Sequence, residues 1–126
     1  MSTPVPSPTE LEILHVLWKR GPSTVRDVHD VLHKDRRIGY TTVLKIMQVM
    51  AGKKLVTRDE SERSHIYKPA VEEKSVKKRL VADLLNRAFE GSAAGLVMHA
   101  LSGKKSSRKE LDEIRKLLDE QEGRQK

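Results

Sequence analysis

The chain has 126 residues, a formal net charge of +7 and no cysteine. The length predicts one domain, or a small domain with an appendage. The absence of thiols excludes disulfides, thiolate metal sites and cysteine nucleophiles, and it is typical of a reducing cytoplasm. Aromatic residues make up only 3% of the chain, which disfavours stacking on single-stranded nucleic acid. The basic charge favours a nucleic acid as the partner, although an inert basic protein or one attracted to an anionic membrane would share it. Together with the scarcity of aromatic residues, it favours duplex DNA over RNA.

The N-terminal residues show no targeting pattern. Residues 1–8 contain neither the basic nor the apolar region of a signal peptide. No apolar run approaches the ~18 residues that a membrane span needs. We therefore expect a cytoplasmic protein without membrane insertion, beginning with a loose tail over residues 1–6.

Two short helices are predicted first. Ser7 can cap the first one, with Pro8 in its first turn and Glu10 completing a capping box. Gly21 and Pro22 end this helix, and Ser23 or Thr24 caps the second. The first helix is expected to bury Leu11, Leu14, Leu17 and Trp18, with Trp18 as a core anchor, and the second Val25, Val28, Val31 and Leu32.

Two histidines in the second helix stand four residues apart, a spacing that could ligate a metal. No third ligand with matching geometry is found near His29 and His33, and charged residues adjoin both. We therefore predict solvated histidines and no metal site.

The stretch from Tyr40 to Val56 predicts the helix around which the chain is organised. At 100° per residue, one face is an apolar stripe about 100° wide. The opposite face has hydroxyls, one cation and one amide but no carboxylate, which suits a surface lying on phosphates and base edges. An ordinary amphipathic helix is the alternative. The apolar stripe contains Val43, Ile46, Met47 and Met50, and the outer face contains Thr41, Lys45, Gln48 and Gly52.

A β-hairpin is predicted after this helix. The runs 55–59 and 65–69 are rich in β-branched and aromatic residues and flank a polar turn at 60–64. Pro69 is tolerable at the end of an edge strand. Three helices followed by a hairpin is the order of a winged helix-turn-helix, which we assign to residues 1–70.

The charge is concentrated in this segment. From Lys34 to Lys68 the chain has nine cationic and four acidic residues, a net charge of +5 out of +7. Three of the acids lie at the predicted turn of the hairpin, where they would repel phosphates. We therefore expect Arg58, Arg63 and Lys68 to contact DNA while the turn points away.

Residues 71–126 have a different character. They predict a helix of about twenty residues, a short apolar helix near 93–101, basic linker residues Lys104 and Lys105, and a last helix capped by Ser107. Units below ~70 residues seldom stabilise themselves, so we expect a helical dimerisation region; folding back within a monomer is the alternative. The apolar positions are Val76, Leu80, Val81, Leu84, Leu85, Ala88, Phe89, Leu111, Ile114, Leu117 and Leu118.

Nearly the whole chain resembles the penicillinase-repressor family, the bacterial BlaI/MecI repressors with their CopY-like relatives. The resemblance implies a dimeric winged-helix repressor that occludes a dyad-symmetric operator. It also implies, for members that control β-lactam resistance, release by a partner membrane sensor protease. The residues that carry the resemblance are 10–18, 25–28 with Leu32, 40–43, Met47, Met50, 55–58 and 67–69.

The sequence also departs from this family. Copper-responsive members use C-terminal cysteines, which are absent, so copper sensing is not expected. Residues 96–101 lack the Asn-Phe pair of the β-lactam repressors' cleavage site, so neither proteolytic release nor a β-lactamase target is expected. Lys54 occupies a position where winged helices often have glycine, at a cost of about 1 kcal/mol if its backbone is left-handed, unless Gly52 makes the turn.

These features predict a mainly helical, non-enzymatic regulator of transcription that binds double-stranded DNA and needs no cofactor. No catalytic grouping or phosphate-binding glycine loop is present. A winged helix that docks proteins, or a ligand-sensing regulator of another winged-helix family, is the alternative. The predicted DNA-contacting residues are Thr41, Thr42, Lys45, Gln48, Arg58 and Arg63.

Overall fold

The computed structural model describes residues 4–103 and 105–124. These residues form α-helices and one antiparallel hairpin, which confirms the predicted mainly helical class. The elements are α1 (Pro8–Arg20), α2 (Val25–Asp35), α3 (Tyr40–Gly52), β1 (Val56–Asp59), β2 (Ile66–Pro69), α4 (Glu73–Ala88), α5 (Ala93–Ser102) and α6 (Arg108–Arg124).

Capping boxes fix the starts of the first two helices. The Ser7 hydroxyl accepts from the Glu10 amide, and the Glu10 carboxylate accepts from the Ser7 amide at 2.8 Å. Thr24, rather than Ser23, caps α2, and Asp27 completes its box. Each box satisfies amide groups that a helix start leaves unpaired.

A single apolar core joins the three helices to the hairpin. Leu14 and Leu17 are buried as predicted, whereas Leu11 is half-buried and Ile13 and Val16 are buried. Trp18 packs against this core, and its indole Nε1 donates to the Val71 carbonyl at 3.1 Å, which confirms its predicted role. The remaining core residues are Val25, Val28, Leu32, Val43, Met47, Met50, Leu55, Val56 and Tyr67.

The hairpin is attached to the helices through its second strand. β1 and β2 are antiparallel, with Val56 opposite Pro69 and Arg58 opposite Tyr67. Tyr67 also exchanges backbone hydrogen bonds of 2.8 and 2.9 Å with Ser23, just before α2. Between α3 and β1 the positive φ of 66° falls on Lys54 and not on Gly52. The second strand is therefore bonded to the segment before α2, and the first strand follows α3 after a short turn at Lys54.

The C-terminal helices leave most of their apolar side chains uncovered. Val76 is the buried residue of α4, and no described residue of α5 or α6 is buried. Ser92 caps α5 and Ser107 caps α6, as predicted for the latter. The chain divides into two compact units between Ala82 and Asp83.

Some predictions fall on residues that the structure does not describe. The linker residue Lys104 and the first three residues of the predicted tail lie outside the described ranges. None of the helices in the described ranges combines the length and the hydrophobicity that a membrane span requires.

A partly buried ion pair joins the start of α1 to the end of α3. The Glu10 side chain is only 4% exposed, and Lys53 Nζ donates to its two oxygens at 2.9 and 3.2 Å. Burial alone would raise the pKa of Glu10, but the Ser7 amide and the Lys53 ammonium group together hold this pKa below its ordinary value. The folded state therefore favours the ionised carboxylate.

We expect Glu10→Gln to lower the free energy of unfolding at pH 7 by roughly 1–2 kcal/mol, since Lys53 is half-exposed and its attraction is screened. A pKa that is lower in the folded chain contributes stability above the unfolded value, and this is lost as the pH falls through the folded value. Urea unfolding should therefore show the deficit at pH 7 shrinking toward pH 3. Glu62→Gln, at an exposed carboxylate without an ion pair among the described residues, is the control and should show no such deficit. An equal deficit at both pH values for Glu10→Gln would contradict this.

Candidate nucleic-acid interface

The helix α3 presents a polar face to solvent while its other face is fixed in the core. Val43, Met47 and Met50 are fully buried. The predicted reading residues Thr41, Thr42, Lys45 and Gln48 are all exposed, and α3 contains no acidic residue. Neither Lys45 nor Gln48 forms a hydrogen bond or ion pair within the described ranges. Their donors and acceptors are therefore free to bind base edges.

The start of α3 is held by its backbone and by a neighbouring helix. Its N-cap is Gly39, which supplies no side-chain cap. Tyr40, at the first position, is 39% exposed, and the Arg26 guanidinium lies 5.0 Å from the centre of its ring. The first turns of α2 and α3 are thereby brought together.

A polar groove of about 210 Å³ lies between the starts of α2 and α3 and the strand β2. Its basic lining groups are Arg26, Arg63 and His65, and Tyr40 forms part of its wall. Side chains of this kind beside a reading helix typically contact DNA phosphates. The sequence predicts a DNA contact for Arg63 but not for Arg26, although Arg26 lies in the first turn of the second helix.

Arg58, which was expected to contact DNA, is paired with an acidic residue of the hairpin turn. Its side chain is 32% exposed and forms an ion pair of 2.9 Å with Glu60 at the hairpin turn. A hydrogen bond with Tyr67 raises the pKa of Arg58 above its ordinary value, and Glu60 acts in the same direction. The turn therefore does not point all its acids away, because Glu60 reaches back to Arg58. A phosphate would have to replace this carboxylate.

Other cations of the 34–68 segment are also engaged within the fold. Arg36 lies 3.4 Å from Glu12 and donates to the Thr9 hydroxyl, and Lys53 is paired with Glu10. Within the described ranges, six of the nine form no ion pair: Lys34, Arg37, Lys45, Lys54, Arg63 and Lys68. The net charge of the segment is unchanged, but fewer of its cations are free to bind phosphates than the count suggested.

The two histidines of α2 differ from each other. His33 is exposed as predicted, but the His29 side chain is only 16% exposed, so the prediction that it is solvated is wrong. Its ring is covered because it reaches the connection before α3 and lies edge-on to Tyr40. Among the described residues, no group of three or more histidine, aspartate or glutamate side chains could hold a metal ion.

Three helices, an antiparallel hairpin and a carboxylate-free exposed helix face define a winged helix-turn-helix DNA-binding protein. The sequence model of the family described as "Penicillinase repressor" matches residues 6–120. The chain therefore belongs to the penicillinase repressor family, whose members are transcriptional repressors and not enzymes. The family predicted from the sequence is confirmed.

Two relatives support this membership. The chain is 33% identical over 115 residues to the transcriptional regulator BlaI of Mycobacterium tuberculosis, which covers 90% of this chain and 82% of that protein. It is 24% identical over 120 residues to the penicillinase repressor of Bacillus licheniformis, with 95% and 94% covered. Among solved structures, ZitR of Lactococcus lactis matches 99% of this chain and 81% of its own, with 18% identity and a TM-score of 0.40.

Proposed function

We propose that the protein is a cytoplasmic, homodimeric repressor that recognises a dyad-symmetric operator in double-stranded DNA and occludes the promoter. The observation that carries this proposal is the outward, carboxylate-free face of α3, whose opposite face is locked in the core. Membership of a repressor family supports it. In this proposal, residues 1–70 bind DNA and residues 71–126 dimerise.

In this proposal α3 lies in the major groove. Lys45 can donate to guanine O6 and N7, and Gln48 can both donate to and accept from adenine. Thr41 and Thr42, in the first turn, lie where hydroxyls reach either a base edge or a phosphate. These four side chains supply sequence preference.

Phosphate contacts supply affinity without sequence preference. Arg63 is exposed beside the groove at the start of α3, and Arg26 lines the same groove from α2. Arg58 can contact a phosphate only when its ion pair with Glu60 breaks. Each neutralised phosphate releases counterions, so binding weakens as the salt concentration rises.

The dimer is inferred from the apolar surface that the C-terminal helices leave uncovered. Val81 and Leu84 on α4 are about half-exposed, as are Leu117 and Leu118 on α6, and Met98 on α5 is 68% exposed. A surface of this composition on short helices is costly in water unless a partner covers it. A second copy of the chain is the simplest partner because a two-fold axis presents the same apolar faces to each other.

The test is selection of duplexes by the wild-type protein from a randomised DNA library. We expect enrichment of a dyad-symmetric site whose half-sites lie about 10–10.5 base pairs apart, or a multiple of that spacing. Bound DNA should be released as the salt concentration is raised. Failure to enrich any sequence would contradict the proposal, and retention of a protein partner without DNA would favour a docking module instead.

Glu60→Gln is expected to tighten binding to every duplex, because it frees Arg58 from its ion pair. The expected gain is about two- to fivefold per protomer, the range of an exposed ion pair. Glu62→Gln makes the same change of charge at the same turn, where no ion pair with Arg58 exists, and should give a smaller gain. Titrations by fluorescence anisotropy can compare the two, and equal gains would show that Arg58 is not held back by Glu60.

A further inference from the structure

The ring of His29 links α2 to the start of α3. Its Nε2 lies 3.0 Å from the Ile38 carbonyl oxygen, and because a carbonyl can only accept, Nε2 carries the hydrogen. Ile38 directly precedes Gly39, the N-cap of α3. Among the described residues, no other side chain forms a hydrogen bond with the backbone of residues 36–39. The His29 imidazole thus adds a side-chain contact to the backbone and Arg26 contacts that hold the start of α3.

The other nitrogen of the ring is unsatisfied. His29 Nδ1 is buried without a hydrogen-bond partner among the described residues, and it lies 3.5 Å from Asp30 Oδ1. In the neutral ring that donates through Nε2, Nδ1 bears a lone pair facing a carboxylate. Protonation turns Nδ1 into a donor, and Asp30, with a side chain 63% exposed, has room to approach it.

The surroundings include both signs of charge. The His33 ring lies 5.2 Å away on the same helix, and Tyr40 of α3 presents its ring edge-on at 6.0 Å. Arg26 lies over that Tyr40 ring, and Arg37 is exposed in the connection. Asp30 is the carboxylate paired with His29.

We propose that His29 is a positioning residue for DNA reading, which holds the start of α3 through Ile38 and holds it more firmly when the imidazole is protonated. The inference rests on the proposed DNA-reading function. Because the hydrogen bond acts on the orientation of α3 and not on net attraction to phosphates, it affects sequence discrimination more than affinity. Protonation would make the Nε2–H group a charge-assisted donor to the Ile38 carbonyl, so discrimination should be greater at pH 6 than at pH 8.

Three variants separate this role from a general loss of structure. His29→Ala removes the hydrogen bond, His29→Gln retains an N–H donor that does not titrate, and His33→Gln makes the same change at the exposed neighbour. The readout is the ratio of Kd for a scrambled duplex to Kd for the duplex that the wild type selects, at pH 6 and pH 8. Amide hydrogen exchange of residues 36–42 is measured without DNA.

We expect His29→Ala to reduce this ratio roughly tenfold at pH 6, the effect of one lost hydrogen bond that positions a reading element. His29→Gln should retain most of the ratio but show no change with pH, while His33→Gln should follow the wild type. Exchange of residues 36–42 should become faster in His29→Ala alone.

The inference is overturned if His29→Ala weakens both duplexes equally, if His29→Gln keeps the pH dependence of the wild type, or if exchange of residues 36–42 is unchanged. Failure of the proposed function is a different result, since the wild type would then not discriminate between the duplexes. The exchange measurement still decides whether His29 holds the start of α3 in that case.

Discussion

Lys45→Ala and Gln48→Ala are each expected to reduce discrimination between the selected duplex and a scrambled one by about 1–3 kcal/mol per half-site contact. Both side chains are exposed on α3 and have no partner within the described ranges that would compete with DNA. A dimer makes the contact twice, so the loss for a full site should be roughly double that for an isolated half-site. Competition titrations at one salt concentration measure it.

The control for this pair is Arg63→Ala, which removes an exposed cation beside the groove at the start of α3. It should weaken all duplexes alike and reduce the dependence of Kd on salt, without changing discrimination. Neither α3 substitution removes a buried side chain, so thermal unfolding should be close to that of the wild type. If Gln48→Ala left the preference for the selected duplex untouched, the assigned reading face would be wrong.

Leu84→Glu is expected to dissociate the dimer. Leu84 is 47% exposed in the single chain, and burying a leucine in an interface contributes up to about 1.5–3 kcal/mol. The substitution acts twice across a two-fold axis and adds two carboxylates to an apolar interface, so the dimer Kd should rise at least ~100-fold. Sedimentation equilibrium at micromolar concentration should change from twice 14.3 kDa to 14.3 kDa.

Lys78→Glu provides the matched control on the same helix. Lys78 is exposed and is not one of the apolar positions of α4, so the dimer should survive this reversal of charge. The Leu84→Glu variant should keep its N-terminal fold, in which the Trp18 indole donates to the Val71 carbonyl. The fluorescence of Trp18 can check this. A wild type that sediments only as 14.3 kDa particles would contradict the dimer.

The parts of the fold that depend on neighbouring residues in sequence were predictable. The capping box of Ser7 and Glu10 and the polar run between two β-branched stretches are local signals, and both elements formed where they were expected. The exposed face of α3 followed from helical periodicity alone. Membership of the family rested on the same local segments.

The parts that depend on distant residues meeting were not predictable. The hydrogen bond of Arg58 with Tyr67 depends on the pairing of the two strands, whereas the ion pair of Arg58 with Glu60, two residues away, is a local contact that the expected direction of the turn did not include. His29 was expected in solvent because its neighbours in sequence are charged, whereas the connection to α3 covers it. The contact of Arg26 with Tyr40 likewise joins two helices that only tertiary packing brings together.

The most direct test uses the absence of cysteine in the chain. Gln48→Cys and, as a control in the groove between α1 and α2, His15→Cys are each labelled with a photo-activated cross-linker in the presence of the selected duplex. We expect position 48 to cross-link to bases at two places related by the dyad of the site, and position 15 to give no cross-link to bases. No cross-link from position 48, or an equal yield from position 15, would contradict the reading of DNA by α3.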